Sequence, residues 1–310
     1  MPHPMIKKCS TPSNKIKMEF LWSNTSTKNF FYFEGPALSP DGTQFCFTEF
    51  ELRKGTIYKI DSAMLKQGPL SSPPPVLYQG EVCNGLKFDS QKRLWACQMS
   101  SPSRIVEVDL ITGNLTKRVT QFENKEFNCP NDIVIDEQHH GVYFTDPKIP
   151  FFPAKKPQKK ERVYFHRDGV ADPVPCLEKT RIEFALPNGI ELQKDSNGNS
   201  KYLYVADSFK KLVWRFLITG PGQLEEGAIF VEFPERPVDG MAIHPNGDLY
   251  VTSGNYIYVI DPNGNRRDCF CPDPKDTDLK PSNLCFLDQE SFVVTSYKKG
   301  EGKLYLGRIK

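Results

Sequence analysis

Apolar and polar residues alternate in short runs along most of the chain, and turn residues separate these runs. In "PVDGMAIHPNGDLYVTS", residues 237–253, Met241 and Ile243 mark one strand and Leu249 and Val251 mark a second. The Pro-Asn-Gly between them is typical of a tight hairpin. Because no segment keeps a helical period, the pattern predicts a protein built almost wholly of β-strands.

The same unit occurs six times along the sequence. Each copy begins with an acid or amide, usually followed by Gly, and continues with a strand, a polar turn and a second strand that ends in Thr, Ala, Asp or Ser. A further β-like segment follows each copy. The units begin at Glu34, Asn84, Asn131, Asn188, Asp239 and Asn283, so their starts lie 50, 47, 57, 51 and 44 residues apart. Periods of about 40–50 residues with about four strands each indicate the blades of a β-propeller.

The repeat count predicts an all-β fold, a six-bladed propeller with four-stranded blades around a central metal channel. The last unit has only three strands before the chain ends at Lys310. The segment "KIKMEFLW" at 15–22 is suited to supply the fourth strand and close the ring. We therefore expect residues 15–310 to form one domain and residues 1–14 to be disordered.

Composition narrows the class of protein. The chain has 310 residues, of which 38% are hydrophobic and 12% aromatic, enough for a sizeable core. A net charge of +2 gives no reason to expect binding to nucleic acid or to a membrane surface. The basic N-terminus lacks the apolar stretch of a secretory signal, and nine cysteines without a CxxC motif favour reduced thiols. We expect a cytoplasmic monomer.

The first residue of each unit carries the candidate chemistry. In a propeller the first strand of every blade lines the channel and enters from the same face, so these six residues converge. For one unit alone, an ordinary turn is the better explanation of Asn-Gly or Asp-Gly. Repeated six times, two carboxylates and four amides make a ring of oxygen donors. A divalent cation removes the cost of burying two acids together, and oxygen-only ligation favours Ca²⁺.

Five segments carry a family resemblance: "EGP" at 34–36, "NGLKFDSQKRLWAC" at 84–97, "PNDIVIDEQHHGVYFTDP" at 130–147, "PNGIELQKD" at 187–195 and "DGMAIHPNGDLYV" at 239–251. In these segments the chain resembles the family of senescence marker protein (regucalcin), gluconolactonase and luciferin-regenerating enzyme. More distantly it resembles diisopropylfluorophosphatase and the paraoxonases. The resemblance covers roughly residues 30–305 and implies hydrolysis of a small-molecule lactone or ester, with phosphotriesters as the substrates of some members.

The resemblance also implies residue roles. A Ca²⁺ ion would be held by Glu34, Asn188 and Asp239, with Asn131 as a fourth ligand or a substrate contact and Asn84 beside the substrate. Zn²⁺, Mn²⁺ and Mg²⁺ stay open as alternative ions.

Three positions depart from the family pattern. One is Cys285, in "SNLCF", where the phosphofluoridate-hydrolysing relatives carry a His. Cys129 lies where sugar-lactone hydrolysing members often have a substrate-binding Arg. The resemblance therefore makes Cys129 a candidate substrate contact, and the loss of the Arg argues against an aldonolactone substrate. Ala242 replaces an acid that helps the phosphofluoridate-hydrolysing relatives bind a second calcium, so we expect one metal ion.

Catalysis needs a base that activates water, because calcium lowers the pKa of bound water much less than zinc does. Asp239 is the first candidate for this base and Glu34 the second. The competing histidines, in segments that we predict to be turns on the opposite face, are expected to be exposed and far from the metal: His139, His140, His166 and His244.

Other functions stay open at this level. A phosphotriesterase-like hydrolase is one alternative, and a non-catalytic calcium-binding propeller that binds a ligand or partner is another. The Lys- and Pro-rich loop at 147–161, with Phe151 and Phe152, is suited to be a lid or to attract an anionic substrate. A solvated insertion without a role explains this loop equally well.

Overall fold

The computed structural model describes residues 15–310 except 153, 156, 179, 226, 234 and 235. The expectation of disorder for residues 1–14 lies outside the described part of the chain. The described residues form strands and one short helix, and in chain order the first of these elements are β1 (Ile16–Thr25), β2 (Tyr32–Leu38), β3 (Gln44–Phe50), β4 (Gly55–Asp61), α1 (Ser62–Leu65), β5 (Val76–Gly80), β6 (Cys83–Phe88), β7 (Leu94–Gln98), β8 (Arg104–Val108), β9 (Leu115–Val119), β10 (Ile133–Asp136), β11 (Gly141–Asp146), β12 (Arg162–Arg167) and β13 (Val174–Pro175). The remaining strands are β14 (Pro187–Lys194), β15 (Ser200–Asp207), β16 (Leu212–Gly220), β17 (Gln223–Leu224), β18 (Ala228–Glu232), β19 (Val238–Ile243), β20 (Leu249–Ser253), β21 (Tyr256–Ile260), β22 (Arg266–Phe270), β23 (Lys280–Phe286), β24 (Ser291–Lys298) and β25 (Glu301–Ile309).

The strands are arranged in six antiparallel sheets, which confirms the predicted six-bladed propeller. Blades 1, 2 and 3 are β2–β5, β6–β9 and β10–β13, and blade 5 is β19–β22. Blade 4 consists of β14, β15, β16 and β18, with the two-residue strand β17 paired to the end of β16. In blade 6, β1 pairs with β25 and lies outside β24 and β23, so the two ends of the described chain share one sheet.

The hydrophobic core lies between the blades. Six apolar clusters of the described residues each combine side chains from two neighbouring blades. In the cluster between blades 6 and 1, Leu21 of β1 is fully buried with Phe33, Phe47 and Leu304. Strand β1 therefore completes blade 6 and also contributes to the interface between blades 6 and 1. Burial of a Leu side chain such as Leu21 stabilises the fold by about 1.5–3 kcal/mol.

Buried hydroxyl groups join one blade to the next around the channel. Thr48 donates to the backbone oxygen of Asn84 at 3.2 Å, and Thr145 donates to that of Asn188 at 2.7 Å. Ser282 of blade 6 donates to the backbone oxygen of Phe33 in blade 1 at 2.6 Å. These hydroxyls satisfy the hydrogen-bonding needs of buried backbone oxygens at or next to the first residues of the units. They therefore help to position those residues.

The cysteines depart in one place from the expectation of reduced thiols. Cys269 is disulfide-bonded. The other cysteines that the structure describes are free thiols, and most of them are buried small apolar groups. No helix within the described ranges is long and apolar enough to cross a membrane.

Candidate metal centre

The six unit-start residues converge at one end of the central channel. Five of them line a cavity of about 360 Å³ at the mouth of the channel: Glu34, Asn84, Asn131, Asn188 and Asp239. The sixth, Asn283, is buried, and its amide donates to the carboxylate of Asp132 at 3.4 Å. The structure thus brings together all of the predicted metal-binding and catalytic residues, and it adds one further acid.

Glycines allow the inner strands to approach closely enough to form this ring. A Cβ atom on Gly35 would lie 2.2 Å from the backbone oxygen of Asn84, and one on Gly189 would lie 2.4 Å from that of Asp239. A Cβ atom on Gly240 would lie 2.4 Å from Oδ1 of Asn283. In these three blades, the residue after the ring position is Gly because the ring residue of the next blade packs against its backbone.

Glu34 and Asp239 repel each other within this buried site. Burial raises the pKa of Glu34 well above its usual range, and the charges of Asp239 and Asp132 raise it further. Burial also raises the pKa of Asp239, again with a contribution from Asp132, while a hydrogen bond from Asn188 acts in the opposite direction. Among the described groups that shift these two pKa values, none is cationic. In the described part of the chain, burial and the neighbouring acids thus dominate the pKa values of both carboxylates.

Asp132 is the site residue that sequence reasoning missed. Its carboxylate accepts hydrogen bonds from the backbone of Ile133 at 2.9 Å and of Ile190 at 3.4 Å, in addition to the one from Asn283. Burial raises its pKa to about 6, and nearby Lys87 lowers it. A signal was present in the sequence: the residue after the ring position is Gly in four units but Asp in the third.

An ion pair lies further along the channel, toward its opposite mouth. Nζ of Lys87 lies 2.9 Å from Oε2 of Glu191, and both residues line a second cavity of about 480 Å³ together with Cys285. The charge of Glu191 is the largest of the interactions that raise the pKa of Lys87. Cys285 thus belongs to this second cavity and not to the one that contains the ring.

The donor set fits a hard divalent cation. The described residues contain no group of three or more His, Cys, Asp and Glu side chains arranged to hold a metal, so a metal here would need amide oxygens beside the two carboxylates. Calcium accepts such mixed carboxylate and carbonyl ligation, whereas zinc is held mainly by His and Cys. Glu34, Asn131, Asn188 and Asp239 are the residues that would hold it.

Aromatic side chains surround the cavity above the ring. The rings of Tyr32 and Tyr297 lie 4.1 Å apart between centroids, and their hydroxyl groups are hydrogen-bonded to each other. Burial and the charge of Asp239 raise the pKa of both, so they remain neutral. Phe151 and Phe152 of the predicted lid loop line the same cavity.

The structure does not bring Cys129 to the cavity. Its side chain is fully buried in an apolar cluster with Phe50, Val82, Met99 and Phe152, and burial raises the pKa of its thiol. Of the residues that it packs against, Phe50, Met99 and Phe152 line the cavity, but Cys129 itself does not. Its backbone amide donates to Asp146 at 2.8 Å, which helps to position the segment that leads to the ring residue of blade 3.

The histidines lie outside the cavity, but the prediction that all of them are exposed was wrong: His140 is exposed, His139 and His244 are half-buried, and His166 is buried. His166 belongs to β12, pairs with Val142 and is only 3% exposed. The turn begins after Arg167, so the ring packs between blades. His139 contacts Asp136 at 2.8 Å and His244 contacts the backbone oxygen of Gln289 at 2.8 Å, both in hairpins at the opposite face.

Comparison with known families agrees with this geometry. The sequence model of the SMP-30/Gluconolactonase/LRE-like region matches residues 34–298. The chain belongs to this family. Membership confirms the resemblance seen in the repeated segments and covers the residues of all six unit starts.

Individual relatives cover almost the whole length of the chain. A gluconolactonase of Zymomonas mobilis is 26% identical over 305 residues, which cover 93% of this chain and 80% of that protein. Diisopropyl-fluorophosphatase of Loligo vulgaris is 25% identical over 281 residues, which cover 86% and 85%. Among solved structures, the calcium-binding protein regucalcin of Agrobacterium tumefaciens matches with a TM-score of 0.67 at 15% identity over 94% of each chain. This last similarity shows the shared fold.

Proposed function

We propose that this protein is a calcium-dependent hydrolase of lactones or related esters. Its family and its gluconolactonase relative support the reaction class. The donor set of the ring, and the calcium-binding structural neighbour, support the choice of ion. The substrate is a small molecule that enters the cavity of about 360 Å³.

One observation carries this proposal. Glu34 and Asp239 lie together in the cavity beside neutral amides. Arg236 and Lys280 also line the cavity, but neither is among the groups that shift the pKa values of the two acids. A purely structural channel gains nothing from two such acids, because each costs several kcal/mol to bury in its ionised form. When bound there, calcium would polarise a substrate carbonyl and stabilise the negative charge that develops on its oxygen.

The protein's own residues supply the proton transfer. Asp239 takes a proton from the attacking water, whose oxygen bonds to the carbonyl carbon of the lactone. The bond between the carbonyl carbon and the ester oxygen of the lactone then breaks. Asp239 returns the proton to the leaving alkoxide, which gives the hydroxy acid. Glu34 is the second candidate for the same role.

A phosphotriesterase-like reaction is the second candidate function. The similarity to diisopropyl-fluorophosphatase covers 86% of the chain and favours it. Calcium held by the same residues would polarise a phosphoryl oxygen in place of a carbonyl oxygen, so the donor set serves either substrate.

A substrate panel tests both functions. The panel contains a sugar lactone, an aliphatic lactone, an aryl ester and a phosphotriester, each with calcium and with chelator. Wild type is compared with Asp239→Asn and with Asp261→Asn, which makes the same change in an exposed hairpin turn. We expect turnover that requires both calcium and Asp239 and that survives Asp261→Asn. Calcium binding without any turnover would favour a non-catalytic propeller.

A further inference from the structure

One side of the cavity above the ring is an aromatic wall. Phe30 is at its centre: its ring centroid lies 4.6 Å from Tyr32, 5.8 Å from Phe151 and 5.6 Å from Phe152. Phe50 lies 6.2 Å from Phe30 on the same side. The wall is assembled from the segment before β2, the end of β3 and the loop after β11, so it is a feature of the folded propeller.

Two of the aromatic side chains at the cavity are exposed. Phe151 is 65% exposed and Phe209 is 68% exposed, and both line the cavity. Phe152 is different, because it is buried in the cluster that contains Cys129 and anchors the loop from below. Core packing accounts for Phe152 but not for its neighbour Phe151. An exposed aromatic ring at the mouth of a cavity is typical of a ligand contact.

The aromatic wall offers few free hydrogen-bonding groups, and the cations that line the cavity, Arg236 and Lys280, belong to the segments that begin blades 5 and 6 and not to the wall. Ser208 already donates to the backbone oxygen of Val238, and the amide of Asn255 donates to that of Thr277. The hydroxyls of Tyr32 and Tyr297 pair with each other. A polyhydroxylated sugar lactone would have to leave water without matching partners on this wall, which is costly. An apolar group makes no hydrogen bonds to water, so it gives up none when it binds there.

We propose that the substrate carries an apolar alkyl or aryl substituent that lies against Phe30 and Phe151 while its lactone or ester group faces the ring. The site therefore prefers apolar lactones to sugar lactones. This inference rests on the proposed hydrolase function, because it assigns the substrate class of the same cavity. Displacement of water from the exposed ring of Phe151 is the physical source of the preference.

A turnover series tests the preference. The substrates are γ-butyrolactone, γ-nonanolactone, which adds a five-carbon chain to the same ring, and glucono-δ-lactone. We expect kcat/KM for γ-nonanolactone to exceed that for γ-butyrolactone by about tenfold or more, the scale that hydrophobic pockets reach. It should also exceed that for glucono-δ-lactone. In Phe151→Ala, which removes an exposed side chain and should fold, the ratio between the first two substrates should fall toward one.

The control variant is Ile111→Ala, which removes another exposed apolar side chain, 92% exposed and outside the cavity lining. It should keep the wild-type ratio. A glucono-δ-lactone preference, or an unchanged ratio in Phe151→Ala, would overturn the inference and leave the hydrolase proposal intact.

A binding series separates the two proposals if nothing is hydrolysed. The probes are γ-lactams with and without the same five-carbon chain, which resemble the lactones but resist hydrolysis, measured by calorimetry with calcium present. We expect the chain to lower Kd by about tenfold in wild type and in Ile111→Ala, but not in Phe151→Ala. Chain-dependent binding without turnover would contradict the hydrolase and uphold the apolar site. Equal affinity for both lactams would refute the apolar site, whatever the turnover.

Discussion

The side-chain amide of Asn283 donates to the carboxylate of Asp132 across 3.4 Å, which links the ring residue of blade 6 to an acid of blade 3. Asp132 is thus a third acid at the centre. Its charge raises the pKa of both Glu34 and Asp239. Its charge adds to the repulsion that a cation would relieve. Lys87 lowers the pKa of Asp132, but its ammonium group is paired with Glu191.

Asp132→Asn should stabilise the calcium-free protein at pH 7.5. The variant removes a buried charge whose pKa is raised to about 6, and an Asn oxygen can still accept the hydrogen bond from Ile133. A gain in the free energy of unfolding on the order of 1–3 kcal/mol is expected. Thermal unfolding in chelator measures it, with Asp261→Asn as control. A lower melting temperature in Asp132→Asn would show that the charge of Asp132 is compensated within the protein.

Gly240→Ala should displace Asn283 and loosen the ring. A Cβ atom would lie 2.2 Å from Cγ of Asn283, so one of the two inner strands has to move. We expect a loss of about 1–3 kcal/mol in the free energy of unfolding and weaker calcium binding. The matched control is Gly220→Ala, where the nearest atom is 3.3 Å away at the end of the flexible Gln223 side chain. Equal effects of the two variants would refute the packing argument.

The stability of the calcium-free protein should fall between pH 5 and pH 8. Burial raises the pKa of Asp132 and Asp207 to about 6 and that of Asp146 to about 7, from an ordinary value of 3.8. The folded protein therefore binds protons more tightly than the unfolded chain. The stability that these groups contribute is present below pH 4 and lost as the pH rises through 6 to 7. His166, whose pKa burial lowers, acts in the opposite direction below pH 6.5.

Thermal unfolding from pH 5 to pH 8, with chelator and with calcium, tests this dependence. Calcium should restore part of the loss at pH 8, because a cation favours the ionised form of the acids at the centre. A melting temperature that rises over this range in chelator would contradict the assignment.

A variant without the three hairpin histidines should keep its activity. His139 and His244 contact groups in turns at the opposite face, and neither lines the cavity. Replacing His139, His140 and His244 with Gln should change kcat/KM by less than about threefold, whereas loss of a general base costs about 10²–10⁴-fold. A loss in the latter range would require a histidine in the mechanism.

The fold and the ring were predictable from the sequence because both depend on local patterns that repeat. Each unit start recurs at the same place relative to a strand, so Asp239 and Glu34 were recognisable together although each alone is an ordinary turn residue. His166 was misplaced because "FHRDG" resembles a turn, while the strand continues through Arg167. Asp132 was missed because it stands at a position that is Gly in most units.

The aromatic wall was beyond the reach of sequence patterns. Phe30 and Phe151 are far apart in the chain and meet only because blades 1 and 3 face the same mouth of the channel. Cys129 was misjudged for the same reason: its position before Asn131 suggested a substrate contact, but the loop that contains Phe152 covers it. Loop packing above the channel decides which side chains a substrate meets.

Calorimetric titration of calcium into chelator-treated protein tests the central claim most directly. We predict one calcium ion per wild-type chain, and no binding in the double variant Glu34→Gln and Asp239→Asn, which keeps the shape of both side chains. Asp261→Asn should bind as wild type does. Calcium binding that persists unchanged in the double variant, or its absence from the wild-type protein, would contradict a metal centre at this ring.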